Sequence, residues 1–558
     1  MKKQLLFICL ASFSILAAAQ HQAYIDIGNV RALVNSNGLL FQDTATIRAV
    51  FEVPKGDSLH SIFASALWIT SMHQRNGLPH YSFGYDAYGY SDFNVSDLFK
   101  PGPVDLINQQ RDTTARFQRL WKIDKDTIDD HISNWNQPNY QIPTSILEWP
   151  GNGNSNTTKI LAPFNDLDGD SIYEPQQGEY PLIKGDQAIY LITNNFKSPL
   201  ADTGYTFVRD SIAPWIIIDS MASGTFGYTQ TEVHYLIYGY NSTQKEIANT
   251  VFVNLKIFNR SNKPEDNLKD FNASIFTEFS NGNRALNFIG TDTIRNMYYG
   301  YNSGRTGNAP TLPKEFGAQG IKFLSIPIKQ SMKVQYNGNA VQQDFEFPIT
   351  VRNAQLNLWK NGKRLRSGGN GFNTCIDSTS EPKFMFPSDI AMPRDSSHWS
   401  DLYPCYQDSN LVNTPDLKRM IGTPNLPSQF NNRTSIEFDY AYVFAQDTGG
   451  VVASVAALQV AADSVQAFYD RNRFVGINEN STSASLELHI YPNPASEEVF
   501  IETDQKLFNL ELFNLKGRMM SQFATTKRLD VSNLSNGIYF IRISSEDKVG
   551  VRRLVIHK

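Results

Sequence analysis

Three aspartates at alternating positions carry the clearest chemistry in this sequence. Asp166, Asp168 and Asp170 are separated by single residues, so one turn can bring their carboxylates onto one hard cation. Calcium takes about six to eight oxygen ligands, and a short D-x-D-x-D loop supplies part of that set. The spacing therefore predicts a structural Ca²⁺ site. The alternative is an Asx-rich turn whose carboxylates are solvated.

The residues after these aspartates match the calcium loop of an EF-hand only in part. If Asp166 takes the first ligand position, Ser171 and Gln177 stand where an EF-hand has Gly and Glu. Glu179 is then a candidate to close the site, with Asp186 as a further one. Ile172 enters through its backbone carbonyl. The predicted metal ligands are Asp166, Asp168, Asp170, Ile172, Glu174 and Glu179.

Catalytic motifs are scarce. The chain has no H-E-x-x-H, G-x-S-x-G or P-loop sequence. A carboxylate pair for glycoside hydrolysis is defined in space rather than in sequence, so a polysaccharide-acting hydrolase stays the alternative reading. His131 is expected to be packed and hydrogen-bonded, with catalysis as the minor option. The aromatic run from Tyr81 to Tyr90 is expected to form a corner of the core or a loop packed on itself, with stacking on sugars as the alternative.

Two short helices are expected before the Asp-rich turn. Asp124 or Asp126 can cap a helix within residues 123–149, and Pro143 opens a second one. The first helix carries an apolar stripe at helical spacing. Its members are Ile128, His131, Ile132 and Trp135.

Most other elements are predicted to be β-strands. Residues 233–238, 250–258 and 438–444 alternate with period two and are separated by turn residues, which favours an antiparallel β-sandwich. A helix over residues 454–470 presents one apolar face. The expected fold is mainly β: an antiparallel β-sandwich body with a few helices, plus a small C-terminal Ig-like β-sandwich.

The N-terminus predicts secretion. Lys2 and Lys3 precede an apolar run that ends in Ala17-Ala18-Ala19, the pattern of a cleaved signal peptide. No later stretch reaches 18 apolar residues, so no transmembrane segment is expected in the mature chain.

The net charge bears on the binding partners, and the cysteine content bears on disulfide bonding. The net charge of −5 comes without a basic stripe, which argues against nucleic acid. Cys375 and Cys405 are the cysteines of the mature chain, and the spacing leaves open a disulfide or two free thiols.

The segments follow from these patterns. The predicted boundaries are 1–19 signal peptide, 20–122 N-terminal β-rich region, 123–187 helical and Asp-rich segment, 188–475 β-sandwich body with a late helix, 476–486 linker and 487–558 C-terminal domain.

The C-terminal segment carries three spaced motifs and a basic end. They read Tyr491-Pro492-Asn493-Pro494-Ala495, then Leu512-Phe513-Asn514-Leu515-Lys516-Gly517-Arg518, then Leu534 to Phe540. In this order they resemble the type A C-terminal sorting domain of the type IX secretion system of Bacteroidetes. The resemblance implies passage through the periplasm and across the outer membrane, followed by release or attachment to surface lipopolysaccharide.

The body resembles an uncharacterised family of large surface proteins. The resemblance rests on the Asp-rich turn with Tyr173-Glu174-Pro175, on Gly178-Glu179-Tyr180-Pro181 and on Gly185-Asp186-Gln187-Ala188. It implies no particular activity. Proteins of this kind have a second acidic patch near the middle strands, where this chain keeps only Glu278 and Asp292. That departure argues against a second metal site.

Together these features predict a secreted or cell-surface protein that engages the type IX secretion machinery through its tail. The body is expected to be non-catalytic, in adhesion, surface structure or glycan binding, with the hydrolase as the alternative.

Overall fold

The structure is a computed structural model that describes residues 21–558 with internal gaps. The gaps are residues 58, 74–78, 85–98, 197–226, 264–265, 282–286, 303–316, 335–347, 359–383, 386–397, 400–418, 473–487, 504–505, 507, 515–518 and 546–547. The predicted signal peptide at 1–19, Cys375, Cys405 and the linker at 476–486 lie outside the described residues. So does most of the aromatic run after Tyr81.

The described part of the chain before residue 200 is mostly short strands. They are β1 Gln22–Ile27, β2 Val30–Asn35, β3 Gln42–Asp43, β4 Arg48–Ala49, β5 Phe51–Glu52, β6 Ile62–His73, β7 Pro79–Phe83, β8 Lys100–Pro101, β9 Val104–Asp105, β10 Gln110–Arg111, β11 Leu120–Asp124, β12 Phe164–Asn165, β13 Tyr180–Pro181 and β14 Gln187–Asn194.

The strands of the later body are longer. They are β15 Gly227–Tyr228, β16 Thr231–Gly239, β17 Thr250–Asn259, β18 Leu268–Phe279, β19 Asn287–Asp292, β20 Met297–Asn302, β21 Ala318–Phe323, β22 Ile328–Lys333, β23 Phe384–Met385, β24 His398–Trp399, β25 Arg419–Pro424, β26 Gln429–Phe430 and β27 Ser435–Ala445.

Two large sheets form the body. One has the order β11-β14-β16-β17-β27-β21-β20-β19, with β8 beside β14, and the other has the order β15-β7-β6-β18-β25-β22-β23-β24, with β26 beside β18. Most neighbours pair antiparallel, although β7 with β15 and β23 with its two neighbours are parallel. The chain is therefore mainly β with antiparallel sheets, as the period-two patterns predict.

One apolar core lies between the two sheets. Along β16, Val233, Tyr235 and Ile237 are buried in this core, together with Ala273 and Ile275 of β18 in the other sheet. The intervening residues of β16, such as Leu236 and Tyr238, belong to a second core on the opposite face. Because both faces of this sheet are covered, its central strands β16, β17 and β27 are buried at nearly every position. The N-terminal region contributes strands to both large sheets, with β6 and β7 in one and β8 and β11 in the other.

Four helices cover the second core: α1 Lys125–Asn134, α2 Thr144–Leu147, α3 Lys245–Ala248 and α5 Val451–Asn472. A further helix, α4 Pro348–Gln355, packs on the first core through Val351 and Ala354, and 3₁₀ turns lie at Ala115–Phe117 and Pro175–Gln177. The sequence prediction of α1, α2 and α5 is confirmed. Asp124 occupies the cap position of α1, but its side chain accepts from Gln187 Nε2 at 2.7 Å instead of capping the helix.

Helix α5 is long and apolar enough to cross a membrane, judged by length and composition within the described chain. In the structure, one of its faces packs against β21 and β27. Val455, Leu458 and Val465 on that face are buried, whereas Val452 and Val460 are exposed.

The C-terminal segment is a separate small β unit. Its strands are β28 Leu488–Tyr491, β29 Glu498–Thr503, β30 Asn509–Asn514, β31 Met519–Ala524, β32 Arg528–Asp530, β33 Gly537–Ser545 and β34 Lys548–Ile556. They form a three-stranded sheet, β28-β29-β32, and a four-stranded sheet, β31-β30-β33-β34. Side chains from both sheets, including Val499, Leu510 and Ile541, enclose one core of their own.

Candidate functional site

The Asp-rich segment is the connection between two short paired strands. Phe164 of β12 lies opposite Pro181 of β13, and Asn165 lies opposite Tyr180. Asp166 therefore follows the first strand directly, and Glu179 immediately precedes the second. The ribbon brings the two ends of the predicted site together.

The aspartates shape the first half of this turn through their own backbone. Asp166 Oδ1 accepts from Gly169 N at 2.8 Å, and its Oδ2 accepts from Ser171 N at 2.9 Å. Asp168 Oδ1 accepts from Asp170 N at 3.2 Å. Gly169 and Ser171 have φ of 81° and 61°, so the chain bends tightly between the carboxylates. The alternating aspartates thus lie on one compact turn.

Glu179 ties the turn to its base. Its carboxylate is 2% exposed and accepts from Leu167 N at 2.9 Å and from Glu174 N at 2.7 Å. Burial raises the pKa of Glu179 above its ordinary value, and the charges of Asp166 and Asp168 add to this, whereas the two backbone donors oppose it. The carboxylate is therefore surrounded by negative charge that a cation would offset.

Five of the six predicted ligand residues come together in two groups that share Asp168. One carboxylate oxygen each from Asp166, Asp168 and Glu179 lie within 4.8 Å of one another. The same holds for Asp168, Asp170 and Glu174. The sixth residue, Ile172, donates its backbone N–H to Asp170 Oδ1 at 2.6 Å, and its side chain is exposed. A ligand role for its carbonyl stays a prediction.

The preceding loop holds the turn in place. Asn152 brackets the backbone of Tyr173: its Oδ1 accepts from Tyr173 N at 2.7 Å, and its Nδ2 donates to Tyr173 O at 2.8 Å. The buried Tyr173 hydroxyl donates to Ile146 O at 2.8 Å. Trp149 Nε1 donates to Pro163 O at 3.0 Å. The turn therefore rests on a packed support.

Helix α1 covers the other side of the site. His131 is fully buried, and its Nε2–H donates to Glu179 O at 3.1 Å. Burial lowers the pKa of His131. The predicted packed, hydrogen-bonded histidine thus lies against the site as a support. Of the predicted apolar stripe, Ile128 and His131 are buried, whereas Ile132 and the C-cap residue Trp135 are 42% and 37% exposed.

The other acidic candidates lie apart from this turn. Asp186 Oδ2 accepts from Asn241 N at 2.9 Å, beside the end of β14. Glu278 is buried in an ion pair with Arg419 at 2.6 Å, and Asp292 is paired with Arg295 at 2.9 Å. Both remaining acids of the second patch therefore already have a cation from the protein.

A second cluster of titratable groups was not predicted. Glu232 Oε1 accepts from Arg260 Nε and Nη2 at 2.9 and 2.7 Å, while Val104 N donates to its Oε2 at 2.7 Å. His234 Nε2 lies 2.9 Å from Glu232 Oε1, and its Nδ1 lies 2.7 Å from the hydroxyl of Tyr190. The signal was available in part, since positions 232 and 234 fall on one face of an otherwise apolar strand.

The described aromatic side chains are mostly turned inward. Tyr81 is fully buried, and stacked or edge-on ring pairs fill both cores of the body. Trp135, Tyr491 and Phe500 are exceptions. One cleft has a volume of about 580 Å³ and lies between Asn267, residues 427–429 and Asn431 of the body and residues 522–526 of the C-terminal unit.

Comparison with known proteins identifies the tail. Residues 489–557 match the family described as "Secretion system C-terminal sorting domain". No curated protein matches the chain. A solved structure titled "Polysaccharide Lyase" is similar at 9% identity with a TM-score of 0.18, over 58% of this chain and 34% of that one. The chain thus spans about a third of that protein's length, and a likeness at this TM-score carries no argument.

The C-terminal unit is therefore a type IX secretion sorting domain, as its motifs predict. A chain with this tail interacts with the type IX secretion machinery and is exported to the cell surface or outside. The resemblance of the body to a family of surface proteins stays a prediction.

Proposed function

We propose that the exported body is a non-catalytic surface protein, acting in adhesion, surface structure or glycan binding, and that Ca²⁺ bound in the Asp-rich turn stabilises it. The inward packing of the aromatic rings favours the first two roles over glycan binding, because sugar recognition uses exposed rings. The buried carboxylates of Glu232 and Glu278 accept hydrogen bonds from Arg260 and Arg419. This pairing supports a structural role for the two carboxylates.

The two carboxylate groups that share Asp168 are the observation that carries the calcium proposal. Calcium prefers hard oxygen ligands at flexible geometry, and carboxylates within 4.8 Å of one another can contact one ion. The turn is held by the ribbon below it and by Asn152 and Tyr173 beside it, so most of the ordering cost is met before the ion binds. The ammonium group of Lys159 lies beside the turn, where its Nζ donates to the backbone carbonyl of Asp170.

Thermal unfolding tests the calcium proposal. The mature chain should unfold at a higher temperature in excess Ca²⁺ than in chelator, because an ion that binds only the folded state stabilises it by about 2.7 kcal/mol at a hundred times its Kd. D168N should remove this shift, since Asp168 belongs to both groups. D57N is the matched control, because Asp57 is an exposed acid outside them. Equal midpoints of the wild type in chelator and in Ca²⁺ would overturn the proposal.

A further inference from the structure

The four-stranded sheet of the sorting domain has an outer face that is not open to solvent. On β30, Leu510 and Leu512 point into the domain's own core, so Asn509, Glu511 and Phe513 point away from it. In a free-standing sandwich of this size these outward side chains would be solvated. Here they are only 1%, 3% and 7% exposed.

The body is what covers this face. Phe513 is a member of the body's core cluster, and Phe540, its cross-strand partner on β33, packs against the same cluster. One layer of the sorting domain is thus continuous with the apolar interior of the body.

Charged and polar contacts surround this apolar centre. Arg542 lies opposite Glu511 in the β30–β33 ladder, and the two side chains form an ion pair at 3.4 Å. The same guanidinium reaches Glu437 of β27 in the body, with Nη2 donating to Oε2 at 3.3 Å. Asn254 Nδ2 donates to the other oxygen of Glu437 at 2.9 Å. At the edge, Asn431 Nδ2 donates to Thr525 Oγ1 at 3.1 Å.

We propose that the outer face formed by Glu511, Phe513, Phe540 and Arg542 is a docking surface whose partner is the body of the same chain, with Glu437 as the anchor. An apolar centre with a polar, charge-complementary rim is the usual composition of a specific interface. The arrangement is independent of the calcium proposal, since it involves a different part of the body.

Docking also determines which side of the sorting domain stays accessible. The three-stranded sheet lies on the far side of the domain's core, and Tyr491 and Phe500 on it are 52% and 41% exposed, with ring centroids 5.8 Å apart. A partner that meets the folded chain would contact this sheet, whereas the docked face becomes available only after the domain separates from the body.

Carbodiimide cross-linking of R542K in the full mature chain tests the docked arrangement. The carbodiimide activates a carboxylate beside the new amine, the amine displaces it to form an amide bond, and the carboxylate oxygen leaves in the released urea. A junction to Glu511 reports the fold of the sorting domain and serves as the internal control. A junction to Glu437 reports docking. We expect the two junctions in yields within about threefold of each other. The Glu511 junction without the Glu437 junction would overturn the proposal.

Charge reversal gives an independent measurement. R542E places a carboxylate beside Glu437 and Glu511, so the domain should separate and small-angle scattering should show a larger radius of gyration. The exchange E437R with R542E should return the radius towards the wild-type value. Circular dichroism of R542E checks that the chain is folded. A folded R542E with an unchanged radius would contradict the proposal.

Discussion

Glu179 accepts a hydrogen bond from the backbone N–H of Leu167 at an N···O distance of 2.9 Å, across the base of the Asp-rich turn. Its second oxygen accepts from Glu174 N, so one buried carboxylate fixes both halves of the turn. This contact does not depend on an ion. It therefore separates the structural role of the site from its ligand-binding role.

E179Q should destabilise the chain whether or not calcium is present. A glutamine keeps one acceptor, but its amide NH₂ would face a backbone N–H, so the free energy of unfolding should fall by about 1–3 kcal/mol. Chemical denaturation in chelator measures this. D168N is the matched comparison: Asn retains the oxygen that accepts from Asp170 N, so its loss in chelator should stay below about 0.5 kcal/mol. Equal losses for the two variants would contradict this assignment.

G178A should cost more than G56A, although the two glycines have nearly the same backbone conformation. Gly178 has φ of 93° and Gly56 has φ of 94°, so both substitutions carry a left-handed strain of about 1 kcal/mol. A Cβ at 178 would also lie 2.6 Å from Cε2 of Trp135, whereas a Cβ at 56 meets nothing within 4 Å. Unfolding free energies should differ by about 1 kcal/mol or more. A Trp135→Ala change in the G178A background should reduce that difference.

The buried cluster around Glu232 predicts acid sensitivity in two steps. Arg260 and the other partners of Glu232 overcome its burial and hold its folded pKa at about 2, below the ordinary value of 4.5. A depressed carboxyl pKa contributes stability above 4.5 that is lost as pH falls towards 2, about 3 kcal/mol in all. Burial lowers the pKa of His234 below 6.5, so the unfolded chain takes up the proton first and stability also falls below that pH.

Denaturation across pH tests the upper step. H234Q should show a smaller loss of unfolding free energy between pH 7 and pH 5 than the wild type. H557Q is the control, because His557 is exposed at the end of the chain. His131, whose pKa burial also lowers, leaves part of the loss in place in every variant. If H234Q loses as much unfolding free energy between pH 7 and pH 5 as the wild type, His234 does not cause the upper step.

Deleting residues 489–558 should stop export at the outer membrane. The matched sorting domain is the element that the type IX machinery recognises, while the predicted signal peptide, which the deletion leaves in place, should still direct passage into the periplasm. Cell fractionation should find the shortened protein in the periplasm and the full chain at the surface or in the medium. Surface delivery of the shortened protein would show that the tail is dispensable.

Local sequence patterns predicted the strands and helices whose apolar residues recur at the period of that secondary structure. The alternation over 250–258 gives β17, and the apolar face over 454–470 gives α5, because side-chain direction depends only on backbone geometry. The spacing of Asp166, Asp168 and Asp170 likewise predicted that they share one turn, although Asp166 and Asp170 fall into different carboxylate groups. These inferences required no knowledge of distant contacts.

Contacts between distant residues were beyond such patterns. Asp124 is at a cap position, yet its carboxylate is used by Gln187 across the sheet. The partner of Glu232 is Arg260, on a different part of the chain, and alternation marks only that Glu232 shares a strand face with His234. Phe513 is buried by residues of the body, and the motifs of the tail carry no information about those residues.

The strand order of the body has a consequence for the timing of folding. β27, the last strand of the body, lies between β17 and β21 near the middle of its sheet, and Thr250 pairs with Val443. Such long-range pairing slows folding, because loop closure precedes the contacts that reward it. A chain that emerges from its N-terminus cannot complete this sheet before residue 445 is available. The core of the body and the adjoining sorting domain should therefore fold at almost the same time, after most of the chain has entered the periplasm.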